Sequence, residues 1–426
     1  MPEPSNEPLA GTVDGSGIEG SGPPVLFILQ VFFSLPAVLW AYKCFMLVLF
    51  QRRVIYLPSV PPGTRDESLA DGERSSALDA SLSGMYWKEV QVRSDEPTRW
   101  LKRPVELRGI ELSWKEKNPS EGEKANEHVV VVHLQGNAGT PLLRAPLFRQ
   151  LLRPSPPSRS PSPSSSLPPP HVTVLAFAPR SFWLSTRSTP TEKTVLADYR
   201  AALSYAQQRH GPCAKYVLYG HSLGGAAAVL LLEQLGEPPF PPTRTSLSSP
   251  PSSPLSSSPT PSTAPSPPPL SALILENPLP SIPFMVRSLY PQKWLPYHYM
   301  GPFAFDKWDA IGRLRRLAAG RKRFGNGKEE DGMEQRARTA VRSLWVRSGR
   351  DEIIPHGKED GVRRMYEDWL VATGDHAGEG KQEEEEKPRA RWVDVEGALH
   401  DTASREKKWR DAVRGFLGEV GRAGEG

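Results

Sequence analysis

Cysteine is scarce in this chain, which has only two in 426 residues, Cys44 and Cys213. Two cysteines cannot form the disulfide framework of a small secreted protein or the paired-cysteine motifs of a zinc site. The sequence also has no Asn-x-Ser/Thr glycosylation site, because Pro119 follows Asn118. Both absences favour a reducing compartment, and we expect neither a metal nor a cofactor.

A strong excess of one charge is missing as well. The chain has 53 Lys and Arg residues against 48 Asp and Glu residues, a formal net charge of +5, and they are scattered along the sequence. This distribution lacks the basic stripe that is typical of a nucleic-acid-binding protein. A mildly basic surface suits anionic lipid, so we expect a membrane, and no nucleic acid, among the partners.

One long apolar run, residues 25–50, lies near the N-terminus. A helix needs about 20 such residues to cross the hydrocarbon core of a bilayer. The preceding residues 1–24 contain no Lys or Arg, whereas a cleaved signal peptide has a basic start. We predict a disordered N-terminus followed by an uncleaved, single-pass transmembrane anchor in the plasma membrane or an endomembrane. Arg52 and Arg53 come directly after it, and by the positive-inside rule they predict that the rest of the chain is cytosolic.

Four further segments are too rich in Pro and Ser, or in charge and Gly, to bury the apolar surface that folding requires. We predict that they are disordered insertions, and that the two Pro/Ser-rich ones offer proline-type motifs to peptide-binding partners. The segments are residues 154–170, 237–269, 320–338 and 374–387.

Between the insertions, short runs rich in Val, Ile and Leu alternate with helix-like stretches. Such runs are typical of parallel strands that are buried on both faces, so the pattern predicts one α/β domain over residues 80–420, with a mostly parallel sheet and helices on both faces. Residues 87–93 and 105–114 are expected to form an antiparallel hairpin at the sheet edge. Thr189 is expected to cap a helix, with Glu192 three residues later. The predicted parallel strands are residues 128–135, 171–177, 215–220, 271–276, 341–348 and 390–396.

A Gly-x-Ser-x-Gly motif, Gly220-His-Ser-Leu-Gly224, follows the strand at 215–220 and begins an apolar helix. In this context the motif places its serine on a tight, exposed turn at the top of the sheet. We predict that Ser222 is a nucleophile, and that His221 packs or bonds locally. Epoxide or haloalkane hydrolysis would need an Asp in place of Ser222.

A serine nucleophile needs a histidine as general base and a carboxylate that orients the histidine. Two later strands are followed by such residues, first Asp351 and then His400, in the order Ser, acid, His. Glu352 and Glu276 are rivals of Asp351. We predict Asp351 as the orienting acid and His400 as the base.

The first buried strand is followed by Gln135-Gly-Asn-Ala-Gly139. A glycine-rich turn there can direct backbone N–H groups at the negative oxygen of an acyl-transfer intermediate. We predict an oxyanion hole made of the N–H groups of Asn137 and Leu223.

Several motifs together resemble the α/β-hydrolase-domain proteins of the bud-emergence type, over most of residues 45–420. The motifs that carry the resemblance are Gln135-Gly-Asn-Ala-Gly139, Pro190-Thr-Glu192, Gly220-His-Ser-Leu-Gly-Gly225, Leu275-Glu-Asn277, Gly349-Arg-Asp-Glu-Ile-Ile-Pro355 and His400-Asp-Thr402. The resemblance implies an α/β-hydrolase fold, a single-pass membrane protein, and esterase, lipase or thioesterase chemistry on lysophospholipids, monoacylglycerols or S-acylated proteins. It also implies that Ser222, Asp351 and His400 form the triad.

Two positions depart from the family pattern. Gln135 replaces a histidine, and Ala178-Pro-Arg-Ser-Phe182 stands where the family has Tyr-Arg-Gly-x-Gly, which leaves the shape of the pocket open. Residues 283–309 are rich in aromatic residues and are expected either to form an acyl pocket or to pack on the core. The predicted function is hydrolysis of membrane-borne esters or thioesters. The alternative is a catalytically silent scaffold that binds proteins, while a peptidase has no positive signal.

Overall fold

The computed structural model describes residues 24–70, 75–98, 102–114, 128–153, 170–241, 268–324, 340–356, 360–375 and 388–423. The chain divides into two compact units, Met1–Leu49 and Phe50–Gly426. The predicted N-terminal segment 1–24 lies outside the described residues except for Pro24. The four predicted insertions also lie largely outside them.

The helix at the N-terminus, α1, is Val25–Ile55. Its mean hydropathy reaches 2.0, and the apolar window is not buried against other residues. Among the described residues it is the one helix whose length and composition suffice to cross a membrane. It continues five residues beyond the predicted end at residue 50 and therefore includes Arg52 and Arg53 in its last turn.

The larger unit is built on an eight-stranded sheet of order β1-β2-β4-β3-β5-β6-β7-β8. β2 runs antiparallel to both β1 and β4, and the remaining neighbours are parallel. The strands are β1 Met85–Ser94, β2 Val105–Trp114, β3 His128–Leu134, β4 His171–Phe177, β5 Lys215–His221, β6 Leu270–Glu276, β7 Arg342–Ser348 and β8 Ala390–Val395.

Helices cover the sheet and bury the apolar side chains of its strands. The central strands β3, β5 and β6 are almost wholly buried, which explains their continuous apolar sequences. The helices after α1 are α2 Ser76–Leu82, α3 Ala145–Leu152, α4 Glu192–His210, α5 Leu223–Leu235, α6 Ile282–Leu289, α7 Ala310–Phe324, α8 Gly361–Thr373 and α9 Lys407–Arg422.

The predicted α/β-hydrolase fold, with a mostly parallel sheet and an apolar helix before it, is confirmed. The antiparallel hairpin at the sheet edge is also confirmed as β1 and β2. Two boundaries were wrong. Residues 320–324 form the end of α7. The N-cap of α4 is Thr191, not Thr189, because the Thr191 hydroxyl accepts the N–H of Thr194 and the Thr194 hydroxyl accepts the N–H of Thr191.

Four of the parallel strands begin shortly after a stretch that the structure does not describe. These stretches are residues 154–169 before β4, 242–267 before β6, 325–339 before β7 and 376–387 before β8. Because β4, β6, β7 and β8 are parallel members of one sheet, all four stretches join it at the amino-terminal ends of the strands. The opposite edge, where these strands end, carries the predicted site residues.

Candidate active site

Ser222 lies in the turn between β5 and α5. Its φ of 53° is in the left-handed region, which is unusual for a residue with a side chain. The backbone holds this conformation from both directions, because the Ser222 N–H donates to Glu276 O and the Ser222 carbonyl accepts from Leu279. The turn therefore has the strained geometry expected for a nucleophile on an α/β-hydrolase sheet.

The glycines beside Ser222 allow the turn to pack tightly against its neighbours. A Cβ on Gly220 would lie 2.4 Å from the carbonyl oxygen of Gly224, and a Cβ on Gly224 would lie 2.0 Å from that of Leu134. Both contacts are with backbone atoms, which cannot move aside as a flexible side chain can. Glycine at these positions thus lets the first turn of α5 rest on the end of β3.

The structure brings His400 and Asp351 together, as the sequence predicted. Nδ1 of His400 lies 2.9 Å from Oδ2 of Asp351, and both side chains are buried. The other oxygen, Oδ1, accepts the N–H groups of Ile353 and Ile354. Burial by itself would raise the pKa of Asp351, but the hydrogen bonds from His400 and from these two N–H groups outweigh it and hold the pKa below its usual value. The carboxylate is thus kept ionised beside the imidazole.

A buried arginine shares the same carboxylate, and the sequence analysis missed it. Nη1 of Arg347 lies 2.9 Å from Oδ2 of Asp351, the oxygen that also meets His400. Arg347 Nη2 donates to the carbonyl oxygens of Ile354 and Pro355. It therefore fastens the loop that carries Asp351 to the end of β7. The signal in the sequence was an Arg near the end of a predicted buried strand, four residues before the acid.

The loop that carries His400 is fixed to the ends of neighbouring strands. The Asn277 amide donates to His400 O at 3.0 Å and to Ser348 Oγ at 2.8 Å, and it accepts the Ser348 N–H. The carboxylate of Glu352 accepts the N–H of His400 at 3.0 Å. Glu352, a rival for the role of orienting acid, thus contacts the backbone of His400 and supports its position.

Glu276, the other rival, has different partners. Its Oε2 accepts the hydroxyl of Tyr219 and, at 2.9 Å, the indole N–H of Trp409. Burial raises the pKa of Glu276, although these two hydrogen bonds act in the opposite direction. Glu276 therefore belongs to a buried polar cluster behind the nucleophile turn, and His400 Nδ1 meets Asp351 instead.

His221 packs locally, in agreement with the prediction. Its Nε2 lies 3.1 Å from His400 O, and its Nδ1 lies 3.1 Å from Nη2 of Arg144. Because an arginine can only donate, Nδ1 must accept, and Nε2 then carries the hydrogen. Burial and the nearby Arg144 hold the pKa of His221 well below its usual value. A neutral His221 thus bridges Arg144 and the loop of the predicted base.

Two N–H groups at the predicted oxyanion hole have no acceptor among the described residues. Leu223 is the first residue of α5, and an N–H at that position has no acceptor within its helix. Asn137 follows Gly136, where a Cβ would lie 3.6 Å from Cβ of Ser222. The Asn137 carbonyl is already held by the N–H of Leu57. The loop after β3 is therefore fixed against the side of the nucleophile.

No hydrogen bond joins the Ser222 hydroxyl to His400 among the described residues. The residue before Ser222 is close to His400, because the rings of His221 and His400 pack with centroids 4.9 Å apart. Bonds between a nucleophile and its base often tighten only when substrate is bound. The structure thus brings two members of the predicted triad into contact and places the third in the adjoining turn.

The turn after β4 has two residues with positive φ although it contains no glycine. Ser181 and Trp183 have φ values of 71° and 43°. Arg180, in the same turn, forms a buried pair with Asp198 at 2.6 Å. The other departure, Gln135, is buried, and its side-chain amide has no partner among the described residues.

Comparison with known proteins gives similarities of structure alone. No protein-family model and no curated protein matches the chain. Among solved structures, a bacterial heroin esterase has a TM-score of 0.45 at 13% identity, covering 81% of this chain and 87% of its own. An esterase of Pyrococcus furiosus has a TM-score of 0.42 at 12% identity, covering 80% and 91%. Carboxyl esterase 2 of Tuber melanosporum has a TM-score of 0.42 at 11% identity, covering 80% and 88%.

Proposed function

We propose that the chain is a membrane-anchored serine hydrolase that cleaves carboxylic ester or thioester bonds of lipid or S-acylated protein substrates. The observation that carries the proposal is the strained turn at Ser222 beside the buried pair of His400 and Asp351. All three residues follow parallel strands at the same edge of the sheet. The motifs of the bud-emergence type add support for this class of substrate.

In the proposed reaction, Ser222 Oγ attacks the acyl carbonyl carbon while His400 Nε2 removes the hydroxyl proton. Asp351 holds the imidazole through Nδ1 and stabilises the imidazolium that forms. The N–H groups of Leu223 and Asn137 stabilise the negative oxygen. His400 then gives its proton to the leaving alcohol or thiol. A water molecule, activated by the same histidine, releases the acyl group from Ser222.

Helix α1 is proposed as an uncleaved anchor, which supports a substrate carried by the same membrane. The helix has 31 residues and ends in Arg52 and Arg53. Anchoring raises the local concentration of membrane-borne substrate without any further contact. Resistance to alkaline carbonate extraction at the full-length mass tests the anchor, whereas a soluble or shortened product would contradict it.

The catalytic proposal is tested by labelling detergent-solubilised, full-length protein with a fluorophosphonate probe. We expect labelling of wild type and its loss in Ser222→Ala and His400→Ala. Ser76→Ala and His171→Ala are matched controls, because both residues are exposed, Ser76 on α2 and His171 at the start of β4, away from the site. Labelling of Ser222→Ala at the wild-type level would overturn the assignment of the nucleophile.

An unlabelled wild type that unfolds cooperatively would favour the alternative proposal, a silent α/β-hydrolase scaffold. Such a protein would act through binding, with the Pro/Ser-rich insertions as its interaction segments. Retention of all three predicted triad residues, two of them already hydrogen-bonded, is the observation that favours the enzyme.

A further inference from the structure

Five large apolar side chains between the last residue of α6 and the start of α7 face outward instead of packing on the core. Each is more than half exposed, although large apolar side chains are usually largely buried. This finding contradicts core packing, one of the two expectations for residues 283–309, at these five positions. The apolar surface consists of Leu289, Trp294, Tyr299, Phe303 and Phe305.

The apolar surface is fastened to the last residues of α1. The side-chain amide of Gln51 donates to Phe303 O at 3.2 Å and accepts the N–H of Phe305 at 2.7 Å. Arg52 forms an ion pair with Asp306 at 3.0 Å, and its guanidinium lies over the Phe305 ring. All of these residues belong to the larger unit. The part of the surface that carries Phe303 and Phe305 is thus fixed to residues that immediately follow the apolar run in sequence.

The charges around the apolar surface are basic. Arg287, Lys293 and Lys307 are exposed in the same stretch of chain, and Arg53 is exposed beside it. Both acidic residues within this stretch are paired, Asp306 with Arg52 and Asp309 with Arg316. Exposed aromatic side chains mixed with Lys and Arg are typical of proteins that lie in the headgroup layer of an anionic membrane. In contact with water alone, these side chains would bury no apolar surface and so would not contribute to stability.

Chain connectivity favours the bilayer over a protein as the occupant of this surface. If α1 crosses the membrane, its residues near position 50 lie at the level of the lipid headgroups. Gln51 and Arg52 are one and two residues further along the helix, which is roughly 1.5–3 Å beyond that level. Gln51 is bonded to Phe303 and Arg52 to Asp306. In that case Phe303 and Phe305 lie next to residues at the depth where interfacial aromatic residues reside.

The same stretch of chain is connected to the predicted nucleophile. It begins shortly after β6. Leu279, three residues beyond the end of that strand, donates its N–H to Ser222 O. Its other end is held at the start of α4, where the Trp308 N–H donates to the Glu192 carboxylate. The stretch of chain that carries the apolar surface thus starts at the carboxyl ends of the parallel strands, where Ser222 lies.

We propose that the apolar surface inserts into the headgroup layer of the membrane that α1 enters, so that Ser222 receives acyl substrates from the lipid phase. The inference rests on the proposed anchor and deepens the proposed function. It assigns to this stretch of chain a role in lipid contact that is independent of the triad, because none of its five side chains belongs to the catalytic residues.

Lipid contact is tested on the full-length chain in phosphatidylcholine and phosphatidylserine vesicles. A Cys44→Ser, Cys213→Ser background receives one cysteine at Trp294 or Phe303, carrying an environment-sensitive fluorophore. Tyr86→Cys is the matched control, since Tyr86 is similarly exposed but lies on β1. We expect blue-shifted emission and quenching by nitroxide-labelled lipid at positions 294 and 303, and neither effect at position 86.

Three outcomes would overturn the proposal, and they differ from one another. If the labels at 294 and 303 behave like the label at 86 while carbonate-washed vesicles retain the protein, the proposed lipid contact is wrong but the anchor stands. Labels shielded from both aqueous iodide and nitroxide lipid would indicate a protein contact. Release of the protein from the vesicles would contradict both the proposed anchor and the proposed lipid contact.

A second measurement separates lipid contact from catalysis. Replacing Trp294, Phe303 and Phe305 together by Ser should lower the hydrolysis of a vesicle-embedded ester by about tenfold or more, because each lost side chain weakens insertion. Hydrolysis of a soluble short-chain ester and fluorophosphonate labelling should stay unchanged. An equal loss on both substrates would contradict a role in lipid contact, and Tyr86→Ser is the control.

Discussion

Arg347 Nη1 lies 2.9 Å from Oδ2 of Asp351, so the carboxylate that meets His400 is already bonded to a buried cation. The guanidinium also donates to the carbonyl oxygens of Ile354 and Pro355, so it holds the loop that carries Asp351 against the end of β7. The arginine thus orients the predicted acid toward His400.

Replacing Arg347 by Gln tests this orientation. The variant keeps a donor for Asp351 but removes the charge and the contacts to the two carbonyl groups, so kcat for a soluble ester should fall by about tenfold while KM changes little. Stability should fall by about 3 kcal/mol, because a buried pair and two carbonyl contacts lose their partner. Arg347→Lys should restore part of kcat. An unchanged kcat in Arg347→Gln would contradict the positioning role.

Asn277→Asp probes the attachment of the histidine loop. The substitution keeps the shape and the acceptor for the Ser348 N–H but removes the donor to His400 O. We expect kcat for a soluble ester to fall by about 10- to 100-fold, because the base is no longer held in place. KM should change little. A rise in KM with an unchanged kcat would show that contacts other than the Asn277 amide set the position of the loop.

Gly224→Ala tests the close approach beneath the nucleophile turn. The new Cβ would meet the Leu134 carbonyl, and we expect a loss of at least about 3 kcal/mol together with the loss of probe labelling. Gly415→Ala on α9 is the matched control, since nothing lies within 4 Å of its Cβ. That variant should gain about 0.5–1 kcal/mol from helix propensity. Thermal unfolding in detergent measures both, and a stable, labelled Gly224→Ala protein would refute the packing argument.

The dependence of stability on pH should be governed in part by His133. Burial and the nearby Arg144 lower its pKa to about 3 from 6.5, so the native state keeps it neutral while the unfolded state takes up a proton as the pH falls. Stability is therefore lost between about pH 6.5 and pH 3. Between pH 7.5 and 4.5 this group should account for about 2–3 kcal/mol.

His133→Leu removes that contribution at similar side-chain volume. The decrease in unfolding midpoint between pH 7.5 and 4.5 should become smaller in this variant than in wild type. The exposed His356→Leu is the control. An identical decrease in His133→Leu and wild type would assign the acid sensitivity to other groups.

If the larger unit is cytosolic, as Arg52 and Arg53 predict, Cys213 should react with a membrane-impermeant maleimide in sealed vesicles whose cytosolic face is outward. Its thiol is exposed before β5, whereas Cys44 lies within α1. Cys213→Ser should abolish the reaction. A reaction that requires detergent would place the larger unit on the other side of the membrane.

Much of the fold could be predicted because its strands are signalled locally. Continuous runs such as the four valines of β3 identify strands that are buried on both faces, and the predicted ends lie within two residues of the observed ones. The fold class followed from their alternation with helices. The contact of His400 with Asp351 followed from their common position after parallel strands.

The start of α4 was misplaced because Thr189 and Thr191 are both suitable caps by sequence. Glu192, which suggested a capping box with Thr189, instead accepts the N–H of Trp308, and its own N–H donates to Asp306. The cap at Thr191 thus combines local hydrogen bonds with Thr194 and contacts from chain more than 100 residues away, and the distant contacts are not visible in the local sequence.

The outward direction of Trp294, Phe303 and Phe305 was equally hidden. An aromatic residue in a sequence signals burial on average, and only the three-dimensional path of the chain between α6 and α7 shows which ones face solvent. The role of Arg347 depends in the same way on the loop after β7, which turns Asp351 back toward the strand.

The four long stretches before β4, β6, β7 and β8 all join the sheet at the edge opposite Ser222. The chain can therefore lengthen there, or receive an affinity tag or a fluorescent protein, while the reacting groups keep their positions. Selection can change the composition of these stretches separately from the residues at the carboxyl ends of the strands. Such an arrangement lets one scaffold acquire new segments without having to rebuild the arrangement of Ser222, His400 and Asp351.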